Sequence, residues 1–121
     1  MKSIKLKRAY DPPSSSDGYR VLVDRLWPRG ISRDRAELDG WLKDVAPTPA
    51  LRAWWQHDPA RLDEFARRYR AELDGNPAVD ELRALIRAHP TVTLVYAARD
   101  PRVNHADVLR DYLDPHGDRK E

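Results

Sequence analysis

The chain contains no cysteine and no long apolar run, and each absence excludes a class of protein. Without cysteine there is no disulfide, no thiolate nucleophile and no cysteine-bound zinc. A membrane-spanning helix needs roughly 20 consecutive apolar residues, and the sequence has no such run. The basic N-terminus also lacks the apolar segment of a secretory signal. We therefore expect a soluble cytoplasmic protein with no membrane partner.

Motifs that would name a reaction are missing as well. Neither the P-loop pattern nor GxGxxG occurs. No pair of histidines has the four-residue spacing of a zinc-binding helix. No nucleophile stands beside an evident base. We expect no metal and no cofactor, and the sequence leaves open whether the protein is an enzyme and which oligomeric state it adopts.

Length and charge predict one domain with a self-neutralised surface. The 121 residues are 40% hydrophobic and 35% charged, which is typical of a single globular domain spanning 1–121. The net charge is only +2. In the segment 61–74, Asp63 precedes Arg67 and Glu64 precedes Arg68 by four residues, a spacing that stabilises a helix. A solvated helix face is favoured over a nucleic-acid-binding stripe.

The hydrophobic pattern predicts strands separated by helices. Residues 3–8 alternate in the manner of a half-exposed edge strand. Residues 19–27 and 92–98 are nearly continuous apolar runs, typical of strands buried on both faces, and a short strand is predicted at 41–43. We expect the two buried runs to be adjacent and parallel, because long helical segments separate them. The polar residues 115–121 are expected to form a frayed tail.

Four predicted helix starts share one signature, a capping side chain followed by proline at the first helical position. They are Thr48-Pro49, Asp58-Pro59, Asn76-Pro77 and Asp100-Pro101. Amphipathic segments follow them, and Leu51, Trp54 and Trp55 are expected to share one buried face. Together these patterns predict an α/β fold. We expect a small, mainly parallel sheet of about three or four strands, covered by about five helices in a three-layer, Rossmann-like arrangement.

A candidate site comes from a construction that occurs twice, in 19–33 and 92–109. In each, an apolar strand runs into an arginine-bearing turn and then a helix. In open α/β sheets, ligands bind at the carboxyl ends of parallel strands, where helix N-termini present unpaired N–H groups to anions. The residues predicted to bind a ligand are Arg25, Arg29, Gly30, Ser32, Arg99 and Asn104.

Asp24 and His105 are the candidate catalytic residues. Asp24 and Arg25 are charges in an apolar strand, and a buried charge needs a partner or a ligand. Asp24 pairs with a group elsewhere in the fold, for example an arginine of the second turn, or it acts in a site. His105 is a general acid or base, or it hydrogen-bonds a loop. The sequence leaves these interpretations open.

Three blocks of the sequence, YRVLVDRLWPRGISR, the segment 41–73 and TLVYAARDPRVNHADVL, closely resemble the YeaO-like family of bacterial proteins. The resemblance implies a compact α/β domain with no established activity. Longer relatives resemble it around the two turns, with a Cys-His-Arg type pattern after the last strand. Here the matching residues are Asn104, His105 and Ala106, so no thiol chemistry is implied for this chain.

The leading hypothesis is a pocket for a small, phosphate-containing anion at the ends of strands 19–27 and 92–98. The rival hypothesis is a non-catalytic module that binds a protein or a nucleic acid through its arginines and tryptophans. Clustering of Arg25, Arg29, Arg99 and His105 in one concave pocket would favour the first hypothesis. Dispersal of these residues over a convex surface would favour the second.

Overall fold

Parallel strands form the centre of the molecule. The computed structural model describes residues 3–114. Its strands are β1 (Ser3–Arg8), β2 (Tyr19–Leu22), β3 (Gly40–Trp41) and β4 (Thr91–Tyr96). They lie in the order β1-β4-β2-β3, and each neighbouring pair is parallel. This confirms the mainly parallel sheet and the adjacency of the two buried runs. The tail predicted at 115–121 lies outside the described residues.

Helices surround the sheet. They are α1 (Arg33–Ala36), α2 (Pro49–Trp55), α3 (Leu62–Asp74), α4 (Pro77–Ala88) and α5 (His105–Leu113). Short 3-10 turns occupy Ser15–Asp17, Lys43–Val45 and Pro59–Arg61. Within residues 3–114, no helix is long and apolar enough to cross a membrane.

Alternate residues of β4 face two different hydrophobic cores. Val92, Leu94 and Tyr96 are buried in the larger core, to which α2, α3, α4 and α5 contribute. Val95 and Leu22 are buried in a smaller core, to which α1 contributes. A parallel strand covered on both faces must be apolar on both sides. The two cores thus account for the continuous apolar runs, and they give the three layers predicted for the α/β fold.

The larger core contains a stack of rings that reaches the surface, here called the aromatic column (Tyr69, Phe65, Trp55 and His57). The rings of Trp55 and Phe65 are 3.7 Å apart between centroids, with an interplanar angle of 13°. His57 stacks on the Trp55 ring at 4.7 Å and 21°, and Tyr69 lies 5.5 Å from Phe65. Trp54 packs against the same core as Leu51 and Trp55, as predicted, but it is only partly buried.

A buried ion pair fastens α1 to the sheet. Arg20 is only 4% exposed and donates from Nη1 to Asp17 Oδ2 at 2.7 Å. Its Nη2 donates to the Ala36 carbonyl at 2.7 Å, and its Nε donates to the Glu37 carbonyl at 3.1 Å. Lys7 Nζ lies 2.9 Å from the second Asp17 oxygen. Arg20 therefore donates to the free carbonyl groups at the carboxyl end of α1, and it also neutralises the charge of Asp17.

The predicted strand 19–27 is wrong beyond Leu22. Val23 still pairs through its N–H with the Val95 carbonyl at 3.0 Å. The next hydrogen bond between these two segments is not between backbone groups, because the Ala97 N–H donates to the side-chain Oδ2 of Asp24 at 3.0 Å. The ladder ends there, and Leu26 is 68% exposed.

The helix predicted at Asp100-Pro101 is also wrong. Asp100 Oδ1 accepts the N–H groups of Arg102 at 2.8 Å and Val103 at 3.2 Å, which closes a turn. Asn104 is the true N-cap of α5, since its Oδ1 accepts the Asp107 N–H at 2.8 Å. Both Asp100 and Asn104 have capping side chains, and local sequence does not decide between them.

Candidate functional site

A cavity of about 250 Å³ opens where the carboxyl ends of β2 and β4 meet α2 and α5. Its polar lining residues are Asp24, Arg25, Arg52, His57 and His105. Its apolar lining residues are Leu26, Ala46, Pro47, Ala97 and Ala98. The mixture of apolar walls and a few convergent polar groups is typical of small-molecule sites.

Asp24 bridges the ends of the two central strands. Its Oδ2 accepts the Ala97 N–H at 3.0 Å, and its backbone carbonyl accepts from Trp41 Nε1 at 2.8 Å. Oδ1 is buried and has no hydrogen-bond partner within residues 3–114, although His105 Nε2 lies 3.3 Å away. The Asp24 carboxylate therefore accepts a backbone N–H and lies beside the His105 imidazole. It does not pair with an arginine of the second turn, as the sequence had suggested.

His105 is held against the same strand end. Its Nε2 lies 3.0 Å from the Val23 carbonyl, which accepts only, so Nε2 carries the hydrogen. Burial lowers the pKa of His105, and this effect outweighs the Asp24 carboxylate and the Val23 carbonyl, which raise it. His105 is consequently a neutral imidazole at pH 7.

Tyr69 packs against His105, which lines the cavity. It is fully buried, and its hydroxyl donates to the Val45 carbonyl at 2.5 Å. Its ring meets that of His105 edge to face at 6.2 Å. Burial raises the pKa of Tyr69 well above 10, with further increases from Glu72 and Asp24. The phenol thus stays protonated, and its ring packs against the ring of His105.

Arg25 is partly committed to protein contacts. Its Nη2 donates to the carbonyls of Ala46 at 3.2 Å and Pro47 at 3.4 Å. Its Nη1 lies 3.7 Å from Asp44, whose side chain is 76% exposed. Its Nε is buried and has no hydrogen-bond partner in the described part of the chain. The guanidinium therefore keeps donor capacity at the cavity wall.

Arg52 and His57 line the cavity, and neither was predicted as a site residue from the sequence. Arg52 is exposed on α2, and His57 follows the end of that helix. In the sequence, Arg52 looks like the solvated arginines 61, 67 and 68. Only the packing of Leu51 and Trp55 into the core aims this face of α2 at the strand ends. Hydrophobic periodicity identifies the buried face of α2. It does not identify the part of the protein that the opposite face of α2 contacts.

The other predicted ligand residues lie outside the cavity lining. Arg29 and Arg99 are exposed, and the Arg29 carbonyl accepts from the Tyr10 hydroxyl at 3.0 Å. Gly30 adopts a φ of 79°, which explains the glycine in this turn. Ser32 caps α1 by accepting the Arg35 N–H at 3.1 Å. The structure thus brings together Asp24, Arg25 and His105. It leaves Arg29, Gly30, Ser32 and Arg99 outside the cavity lining.

Residues 3–114 contain no cluster of acidic or histidine side chains that would hold a metal ion.

Asn104 is fully buried, and both ends of its amide are occupied. Oδ1 caps α5 through the Asp107 N–H at 2.8 Å, and Nδ2 donates to the Asp100 carbonyl at 2.9 Å. We expect Asn104→Ala to lower the free energy of unfolding by about 1–2 kcal/mol, because it removes a cap and leaves buried groups unpaired. Urea denaturation measures this value. An unchanged free energy of unfolding would argue against a capping role.

Comparisons with known proteins identify bacterial relatives along most of the chain. An uncharacterised protein of Mycobacterium tuberculosis H37Rv is 46% identical over 110 residues, which cover 91% of this chain and 92% of the relative. The uncharacterised protein YeaO of Escherichia coli K12 is 41% identical over 111 residues, covering 92% and 96%. No solved structure matches the chain. The resemblance to YeaO-like proteins is thereby confirmed. Residues 3–121 match the family described as the inactive DUF488-N3 subclade, and the chain belongs to that family.

Proposed function

We propose that this protein binds a small, phosphate-containing anion in the cavity at the carboxyl ends of β2 and β4. The observation that carries the proposal is the convergence of Arg25 and Arg52 on one small cavity. Arginine suits this task, because its planar fork of donors matches a phosphate and its charge is permanent.

The charge balance of the cavity favours an anion. Asp24 contributes one negative charge, and its Oδ2 already accepts a backbone N–H. His105 is neutral at pH 7 because burial lowers its pKa. The permanent cations Arg25 and Arg52 therefore outweigh the carboxylate. Arg25 is partly buried, so its attraction to an anion is less screened than that of a surface arginine.

Binding without a covalent reaction is the activity we propose. Among the described residues that line the cavity, none carries a hydroxyl, thiol or primary amine, and the Asp24 carboxylate and the His105 ring already contact backbone groups of the strand ends. The description of the family as inactive agrees with this choice. Asp24 and His105 then act by holding the strand ends in position, and not by transferring a proton.

Phosphate should raise the melting temperature of the protein at constant ionic strength. Ligand at 100 times its dissociation constant stabilises the folded state by about 2.7 kcal/mol. We expect Arg52→Gln to raise the dissociation constant for phosphate by about tenfold or more, since it removes a charge-assisted contact worth about 1.5–3 kcal/mol. Arg67→Gln is the control, because Arg67 is 73% exposed on α3 and pairs with Glu64. Calorimetric titration of each variant gives the constants.

Two results would contradict the proposal. One is a melting temperature that does not respond to phosphate or to phosphorylated small molecules. The other is an equal loss of affinity in Arg52→Gln and Arg67→Gln, which would indicate nonspecific attraction. Weakening by Arg29→Gln or Arg99→Gln, with Arg52→Gln unchanged, would instead support the turn arginines predicted from the sequence.

A further inference from the structure

The aromatic column ends at the cavity in a ring that has only one neighbour within the column. The stack passes from Phe65 to Trp55 and ends at His57, which lines the cavity. Trp55 is buried, whereas His57 is exposed. Because Trp55 covers one face of the imidazole, the opposite face is where the stack would continue.

An unusual backbone conformation holds His57 in this place. Gln56 and His57 have φ values of 52° and 55°. Residues other than glycine seldom adopt this left-handed region, and consecutive occurrences store strain that tends to accompany function. The turn is held by the Asp58 N–H, which donates to the Trp55 carbonyl at 3.0 Å, and by Trp55 Nε1, which donates to the Asp58 carbonyl at 3.1 Å. These bonds fold the imidazole back onto Trp55.

The cavity wall also includes apolar side chains. Leu26 lines the cavity and is 68% exposed, and Pro47 lines it as well. Inorganic phosphate would leave this surface and the free face of His57 uncovered. A ligand with an additional planar, apolar part would cover both.

We infer that the ligand is an aromatic phosphate of the nucleoside monophosphate class, whose ring stacks on His57 while its phosphate reaches Arg25 and Arg52. This inference rests on the proposed function, because it takes the anion from the same cavity. Stacking of a base on an aromatic side chain strengthens binding by about tenfold. The ring therefore adds to an affinity that the arginines supply.

The test compares AMP with ribose 5-phosphate, which has the same phosphate and no ring. Calorimetric titration should show that AMP binds the protein about tenfold more tightly. His57→Asn should abolish this preference by weakening AMP alone. Asparagine adopts the left-handed conformation readily, so it removes the ring and retains the turn. His89→Asn is the matched control, because His89 contacts Tyr19 at the opposite end of β4 and should keep the preference.

The outcomes separate this inference from the proposed function. If ribose 5-phosphate binds and AMP binds no better, the aromatic ligand is refuted and the anion site stands. If neither compound nor inorganic phosphate binds, both proposals fall. A second readout is independent of any variant: AMP, and not ribose 5-phosphate, should shift the imidazole proton resonances of His57 upfield in the wild-type protein. Equal shifts from the two compounds would overturn the inference.

Discussion

Replacing Phe65 with alanine should lower the free energy of unfolding by about 3–5 kcal/mol. Phe65 is fully buried and lies in the aromatic column between Trp55 and Tyr69. The substitution leaves a cavity that these rigid neighbours cannot fill, and it removes stacking contacts that add to the buried area. A loss of this size is a large part of the stability of a small domain. Equilibrium unfolding in urea measures it.

Trp54→Ala is the matched comparison on the preceding helix. Trp54 is only partly buried, and its ring lies against the guanidinium groups of Arg61 at 5.1 Å and Arg68 at 4.3 Å. Exposed cation–π contacts are worth about 0.5–1 kcal/mol each. We therefore expect Trp54→Ala to cost less than half as much as Phe65→Ala. Equal losses for the two variants would show that burial in the aromatic column does not determine stability.

Asp17→Ala should destabilise the protein by about 3–5 kcal/mol, because it leaves Arg20 buried without its counter-charge. Asp17 and Arg20 side chains are each only 4% exposed, and they are 2.7 Å apart. Asp44→Ala is the control, since Asp44 is 76% exposed and lies 3.7 Å from Arg25. An exposed pair contributes no more than about 1 kcal/mol. Urea unfolding at pH 7 compares the two variants.

The same carboxylate predicts part of the acid sensitivity of the fold. Burial opposes ionisation of Asp17, but hydrogen bonds from Lys7, the Ser14 N–H and Arg20 outweigh it and lower its pKa from 3.8. A lowered pKa in the folded state means that the unfolded state binds the proton more readily. The stability from Asp17 is therefore complete at pH values well above 3.8, the ordinary pKa of this carboxyl, and is lost as the pH falls through the folded-state pKa.

Comparison of the wild type with Asp17→Ala isolates this contribution from that of other carboxylates. The difference between their free energies of unfolding should be constant above about pH 5 and should shrink below pH 4. Unfolding curves taken between pH 7 and pH 2 measure it. A difference that does not change over this range would contradict the role of the ionised Asp17.

Local patterns in the sequence determined most of the elements of this fold. The continuous apolar run at 92–98 predicted a buried strand, because a strand covered on both faces has no polar side. The capping residues Thr48 and Asn76 predicted the starts of α2 and α4, since a side-chain oxygen next to proline satisfies the first free N–H groups. Local signals failed at Asp24 and Asp100, where a carboxylate accepts backbone N–H groups and ends or delays an element.

Only the tertiary structure decided which residues meet at the cavity. The sequence predicted Asp24, Arg25 and His105 there, because they follow or flank the ends of the two strands that the apolar runs revealed. Arg52 and His57 join them through the packing of α2, which no local pattern specifies. Periodicity identifies the face of a helix that is buried, but the neighbour of its other face depends on contacts between residues distant in the chain. For this protein, the sequence by itself predicted most of the elements and the end of the sheet at which the cavity lies. The direction in which α2 packs decided which side chains complete the lining of that cavity.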